Sequence, residues 1–158
     1  MKVKIISGGQ TGVDRAALDA ALECGVDLGG WCPEGRLSEE GVIPDVYPVK
    51  ELPGAGYTER TRQNVIDSDG TAIIYFGQPH GGTMQTIEFC IQSQKAYILI
   101  DAEVFSVGQA AKSVLHFIEE HSISTLNVAG PRASDEPRAY RYAKDVIVSA
   151  IKCDESAG

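Results

Sequence analysis

The sequence predicts an α/β fold: a single Rossmann-like, doubly wound parallel sheet of about five strands with helices on both faces. Three observations carry this reading. Short β-rich runs alternate with helical patterns along the chain. The run 71–76, Thr-Ala-Ile-Ile-Tyr-Phe, is apolar on both alternating positions, as in a strand covered on two faces, and doubly covered strands belong to parallel sheets. The glycines, 17 of 158 residues, gather at strand-to-helix junctions.

The elements follow in order. A strand is expected over 3–6, then a turn and an Ala/Leu-rich helix over 14–24 that stops at Gly25. Residues 26–31 make a second short strand. From Cys32 to Gly54 the prolines Pro33, Pro44, Pro48 and Pro53 interrupt any regular period, so this stretch reads as ordered surface loop. Helices are expected over 57–68, 83–93, 107–121 and 138–151, separated by strands over 71–76, 97–100 and 125–129. Residues 1–153 form one domain and 154–158 a frayed tail. Because crossovers between parallel strands are right-handed, the spatial order 2-1-3-4-5 is favoured, with the first and third strands adjacent where the winding reverses. Ligands of such sheets bind at that point, outside the carboxyl ends of the strands.

Composition narrows the partners. Lys and Arg number 14 against 22 Asp and Glu, a net charge of -8, which works against nucleic acid and anionic membrane surfaces. A small anionic ligand must therefore be held by local groups. No apolar run approaches the roughly 18 residues of a membrane span, and Ser7-Gly8-Gly9 cuts short the only candidate leader, so a cytoplasmic location is expected. Cys24, Cys32, Cys90 and Cys153 lie far apart with no C-x-x-C pair, which reads as reduced thiols and offers no metal site.

Three glycine junctions hold the candidate site. Ser7-Gly8-Gly9-Gln10-Thr11-Gly12 links the first strand directly to a helix, the context in which free amides and the helix dipole favour an anion. Gly8, Gly9 and Gly12 permit close backbone approach, while Gln10 and Thr11 add side-chain hydrogen bonds. A tight turn with purely geometric glycines is the competing reading. The G-x-G-x-x-G fingerprint is absent, which disfavours a dinucleotide. Asp14 and Arg15 stand on the first helical turn, as a cap or as contacts to ligand hydroxyl and phosphate. The second junction, Gly81-Gly82-Thr83, again enters a helix, with Thr86 one turn on and Glu88 beyond it. The third ends in Arg132, placed to clamp an oxyanion or to pair with a nearby acid. Trp31 is either a stacking platform or a packing residue.

Taken together, residues 7–19 (Ser-Gly-Gly-Gln-Thr-Gly-Val-Asp-Arg-Ala-Ala-Leu-Asp) and 30–36 (Gly-Trp-Cys-Pro-Glu-Gly-Arg) resemble the molybdenum carrier family. Arg60-Thr61 with Asn64, residues 67–71, Gly81-Gly82-Thr83 and residues 126–132 extend the likeness over nearly the whole chain. That family is similar to a wider group of Rossmann-like proteins called lysine decarboxylase-like, better described as nucleoside-monophosphate phosphoribohydrolases, whose motifs are R-K-x-x-M and P-G-G-x-G-T-x-x-E. Arg60 fits the first motif and Asp69 the acid before the strand. The second motif is broken, because Thr86 stands where glutamate is expected, His80 replaces the proline and Glu88 lies two positions late.

The resemblance therefore implies a binding protein rather than an enzyme, with Glu88 and Asp14 the only residues left for catalysis. The implied ligand is the molybdenum cofactor or molybdate, held at Gly8–Gly12, Asp14, Arg15, Arg60, Asn64, Gly81, Gly82, Thr83, Thr86 and Arg132. A heterocycle would be left to Trp31 or Tyr57, and the metal to the cofactor's own sulfurs. A homo-oligomer, dimer or tetramer, is also implied. The enzyme alternative is N-glycosidic hydrolysis of a nucleotide, and a nucleotide sensor would share the same pocket.

Overall fold

The computed structural model describes the backbone of residues 3–157 and side chains through Lys152. Its first unit is strand β1 (Lys4–Ile6), helix α1 (Val13–Cys24) and strand β2 (Leu28–Gly29). The helix stops where expected: Gly25 takes the left-handed conformation (φ 69°), and its N–H reaches back to the Ala21 and Leu22 carbonyls. Beyond an insertion come α2 (Tyr57–Asp67), β7 (Gly70–Tyr75), α3 (Gly81–Gln92), β8 (Ala96–Asp101), α4 (Val107–Glu120), β9 (Thr125–Ala129) and α5 (Ala139–Ala157), with β3 to β6 inside the insertion. Ser106 and Gln109 form the capping box that starts α4. The expected frayed tail, 154–158, lies outside the described side chains.

Five strands make a wholly parallel sheet in the order β2-β1-β9-β7-β8. The α/β, doubly wound class holds, but the expected order 2-1-3-4-5 does not. The last strand enters between the first and third, pairing Ile5 with Leu126 on one side and Ala72 with Val128 on the other. Crossover handedness fixes on which face a helix packs and leaves the slot of the returning strand open. Here the slot is set by polar groups at the amino edge. The Asp69 carboxylate accepts the Ser124 and Thr125 N–H groups at 2.9 Å each, and the Asp69 N–H donates to the Thr125 carbonyl. Asp69, matched by resemblance to a motif acid, thus works as a clamp far from the ligand edge.

Alternation along β7 feeds two cores. Ala72 and Ile74 face α1, α4 and α5, whereas Ile73 packs with Val65 of α2 and Ile87 and Cys90 of α3. Helices therefore cover both faces, and all but the last residue of β7 is buried, as its continuous apolar run predicts. Small residues allow α1 and α5 to approach closely, with Ala17, Ala20 and Ala21 meeting Ala139, Ala143 and Ala150 in one core.

The stretch expected to be loop carries more order than its prolines announce. Trp31–Cys32 (β3) pairs in parallel with Lys50–Glu51 (β6), and Leu37–Ser38 (β4) forms a small hairpin with Gly41–Val42 (β5). Arg36 organises it, its guanidinium donating to the carbonyls of Ile43, Val49, Pro44 and Tyr47. Leu18, Cys32, Ile43 and Val49 close a small core beneath. Among the described residues no helix is long and apolar enough to cross a membrane.

Candidate functional site

Because all five strands are parallel, the three glycine junctions open at one edge of the sheet. A cleft of about 510 Å³ lies there, at the ends of β1, β9 and β7. It brings together Gln10, Asp14, Arg60, Gly81, Gly82, Thr83, Thr86 and Arg132 from the expected set, with Tyr57 at its side. Gly8, Gly9, Thr11, Gly12, Arg15 and Asn64 do not line it.

The first junction is filled from within. Residues 7–14 are all buried, and the α1 N-terminus is occupied by the protein itself: the Val13 N–H donates to the Pro131 carbonyl, and the Gln10 N–H to Asp14 Oδ2 at 3.4 Å. A Cβ on Gly12 would overlap the Pro131 carbonyl, and one on Gly8 the Arg60 guanidinium. These glycines serve close approach of chain to chain. Arg15 donates twice to the Gly9 carbonyl and lies over the Tyr47 ring, so it braces the loop from outside. Thr11 Oγ1 donates to Glu39 and accepts the Ala133 N–H, and Ser134 also donates to Glu39. These bonds hold the Glu39 carboxyl below its usual range. Glu39 thereby straps the β4–β5 hairpin to the loop after β9.

Asp14 and Arg60 form the cleft floor. Arg60 Nη1 stands 3.5 Å from Asp14 Oδ2, with the two side chains 14% and 7% exposed. Burial raises the Asp14 pKa against the opposing pull of Arg60, and burial likewise lowers that of Arg60 against Asp14. The remaining acids at the cleft are matched too. Asp135 faces Arg132 at 3.5 Å, and Glu136 accepts from Arg138 at 2.8 Å, which holds the Glu136 carboxyl down at about 2.

The second junction differs in being open. Helix α3 begins without a side-chain cap and without an acid in its first turn, and no partner within the described residues takes the Gly81 and Gly82 N–H groups. The Thr86 hydroxyl donates back to the Gly82 carbonyl at 3.0 Å, holding the first turn. Gly82 is informative because the fold does not require it: its φ is ordinary, and a Cβ there would meet nothing within 4 Å. What the missing side chain leaves is bare backbone at the cleft. Arg132 lines the same cleft, about half exposed and paired with Asp135.

Several expected residues fall elsewhere. Glu88 is exposed and outside the cleft. Asn64 holds Trp31 by accepting its N–H (2.8 Å) and donating to its carbonyl (2.9 Å), a bracing role for β3. The Trp31 indole donates to Asp67 and borders a separate groove with Lys4 and Lys50. Tyr57 is thus the aromatic residue of the expected pair that meets the cleft. Tyr75 and Phe76 also line it and were not anticipated, although their place at the carboxyl end of a parallel strand was the available signal.

Comparison with known proteins follows the same lines. A crystal structure from Syntrophus aciditrophicus SB, described as "Putative molybdenum carrier protein", is 43% identical and superposes with a TM-score of 0.92 over 95% of each chain. No curated protein matches the sequence. A family model described as the circularly permutated YpsA SLOG family matches residues 5–151. With that match spanning nearly the whole chain and its sheet, the protein belongs to the circularly permutated YpsA SLOG family.

Proposed function

We propose that this protein binds a small anionic ligand, a phosphate ester or an oxyanion, in the cleft at the carboxyl edge of the sheet. One observation carries the reading: the uncapped, acid-free N-terminus of α3 presents the bare Gly81 and Gly82 amides to the cleft. Arg132 lines the same cleft. Free amides and a helix dipole favour negative charge, and a guanidinium completes a charge-assisted grip. The acids nearby do not oppose this, because Asp14, Asp135 and Glu136 each already face an arginine.

The name of the crystallographic neighbour brings molybdenum carriage to this chain as cargo, either molybdate or the molybdenum cofactor. Amides and guanidinium suit the oxygens of molybdate or the phosphate of the cofactor. Among the described residues no group of three His, Cys, Asp or Glu side chains stands ready for a metal, so a carried metal would keep its own ligands. Native mass spectrometry of protein purified gently from its own host tests the reading. A bound phosphate ester or molybdenum species is the expected mass; a protein free of small anions that also fails to bind them on titration overturns it. The same spectra read the dimer or tetramer that the resemblance implies.

A specific observation favours a second reading, a nucleoside-monophosphate phosphoribohydrolase of the lysine decarboxylase-like kind. Thr86 replaces the motif glutamate, yet Asp14 places a buried carboxyl on the cleft floor, where an acid could stabilise charge developing on a ribose. Release of free base from nucleoside monophosphates distinguishes the enzyme from the carrier.

A further inference from the structure

Among the described residues two buried side-chain polar atoms lack a hydrogen-bond partner, Gln10 Oε1 and Arg60 Nε. Both residues line the cleft. Both also pack on Gly8: Gln10 Nε2 donates to the Gly8 carbonyl at 3.4 Å, and a Cβ on Gly8 would stand 3.0 Å from Arg60 Nε. Leaving a buried polar atom unmet is costly, so two at one place are a feature that the rest of the fold does not compensate.

The orientation of Gln10 is fixed. Its Nε2 donates to the Leu37 carbonyl at 2.9 Å as well as to Gly8, and turning the amide over would set its oxygen against two carbonyl oxygens. The unmet atom is therefore an acceptor, on a residue only 2% exposed. The unmet Arg60 atom is a donor. The floor thus asks for a group that both gives and accepts a hydrogen bond, whereas the three groups assigned to the anion, the Gly81 and Gly82 amides and the Arg132 guanidinium, are all donors. A fully deprotonated oxyanion satisfies these donors and has no proton for Gln10.

From this polarity we infer that Gln10 is a specificity-determining residue that selects a phosphorylated organic molecule over a bare oxyanion, by accepting a hydrogen bond from that molecule's hydroxyl or ring N–H. The inference rests on the proposed anion site at α3 and adds the identity of the other end of the ligand. The phosphate sits at those donors and the neutral donor-bearing part reaches Gln10 and Arg60.

Titration calorimetry with molybdate, ribose 5-phosphate and guanosine 5′-monophosphate, on the wild type and on Gln10→Met, tests it. The expected result is an organic phosphate bound at least ~10-fold tighter than molybdate by the wild type. In Gln10→Met that advantage falls to within about twofold while molybdate affinity is nearly unchanged. Deoxy and N1-methyl monophosphates, tested on the wild type, tell a hydroxyl from a ring N–H and need no variant to fold. Removal of the responsible donor restores parity with molybdate. Survival of the preference in a folded Gln10→Met, or no loss from any donor deletion, overturns the inference and assigns the two atoms to a bound water. Molybdate binding without organic phosphate binding also overturns it while leaving the anion site standing; failure of every probe overturns both.

Discussion

Arg60 of the second helix lies 3.5 Å from Asp14 of the first, and this ion pair joins two elements across the cleft floor. Its burial means that neither partner is removed cheaply. Arg60→Ala should lower unfolding free energy by about 3 kcal/mol, the scale for leaving a buried charge unpaired. Denaturant unfolding measures it, and a loss below about 0.5 kcal/mol, the size of an ordinary surface change, would place the pair among weak surface contacts.

The same pair sets a pH dependence of unusual sign. Burial holds the Asp14 pKa above its ordinary 3.8. Between those two values the folded state binds more protons than the unfolded one, so the Asp14 contribution to stability falls as pH rises. Asp14→Asn should abolish that decline. Unfolding curves of the two proteins across mildly acidic pH give the difference, and parallel curves would contradict the assignment.

Glu39 behaves oppositely. Its carboxyl is held below 4.5 by Ser134 and Thr11, so its contribution is complete above that value and disappears as pH falls through the lowered one. Hydrogen-exchange protection of the Ala133 and Ser134 amides should drop over that acid range in the wild type. In Glu39→Ala it should be low at every pH.

Gly82 and Arg132 separate binding from folding. Gly82→Ala replaces a helical glycine whose side-chain space is empty, so it should raise stability by up to about 1 kcal/mol through helix propensity while its methyl obstructs the anion. Arg132→Ala should leave stability within about 0.5 kcal/mol and weaken anion binding by about 1.5–3 kcal/mol. Calorimetry beside thermal unfolding reads both, and unchanged affinity in the two variants would move the anion elsewhere.

Nucleoside monophosphates should be bound without release of base, since the motif glutamate is absent and Asp14 is committed to Arg60 and to the Gln10 N–H. Chromatography of a monophosphate panel decides this. Should turnover near 1 per second appear, Asp14→Asn should end it and Glu88→Gln should not, because Glu88 is outside the cleft.

Much of this was legible because local rules acted locally. Gly25 stopped α1, the apolar run gave β7, and parallel strands put three glycine junctions on one edge. The position of β9 was not legible: Leu126 and Val128 would be buried in any interior slot, and the choice depends on Asp69 reaching Ser124 and Thr125 from 55 and 56 residues away. The internal filling of the first junction escaped for the same reason, since Pro131 and Glu39 arrive from distant chain. The two acids named from the sequence part in space. Asp14 lines the cleft, whereas Glu88, farther along α3, is exposed outside it.

The place of β9 has a consequence for how the molecule is made. Among the described residues no rung joins β1 to β7 directly, and β9 bridges the β2-β1 ribbon to the β7-β8 ribbon. During synthesis both ribbons emerge before the strand that aligns them, and such long-range closure is slow. A nascent chain halted before Thr125 would carry Gln10 and Asp14 on one ribbon and lead from the other into Gly81 and Gly82, with no strand to hold them in register. The cleft should therefore take its shape late and abruptly, once the last strand is in place.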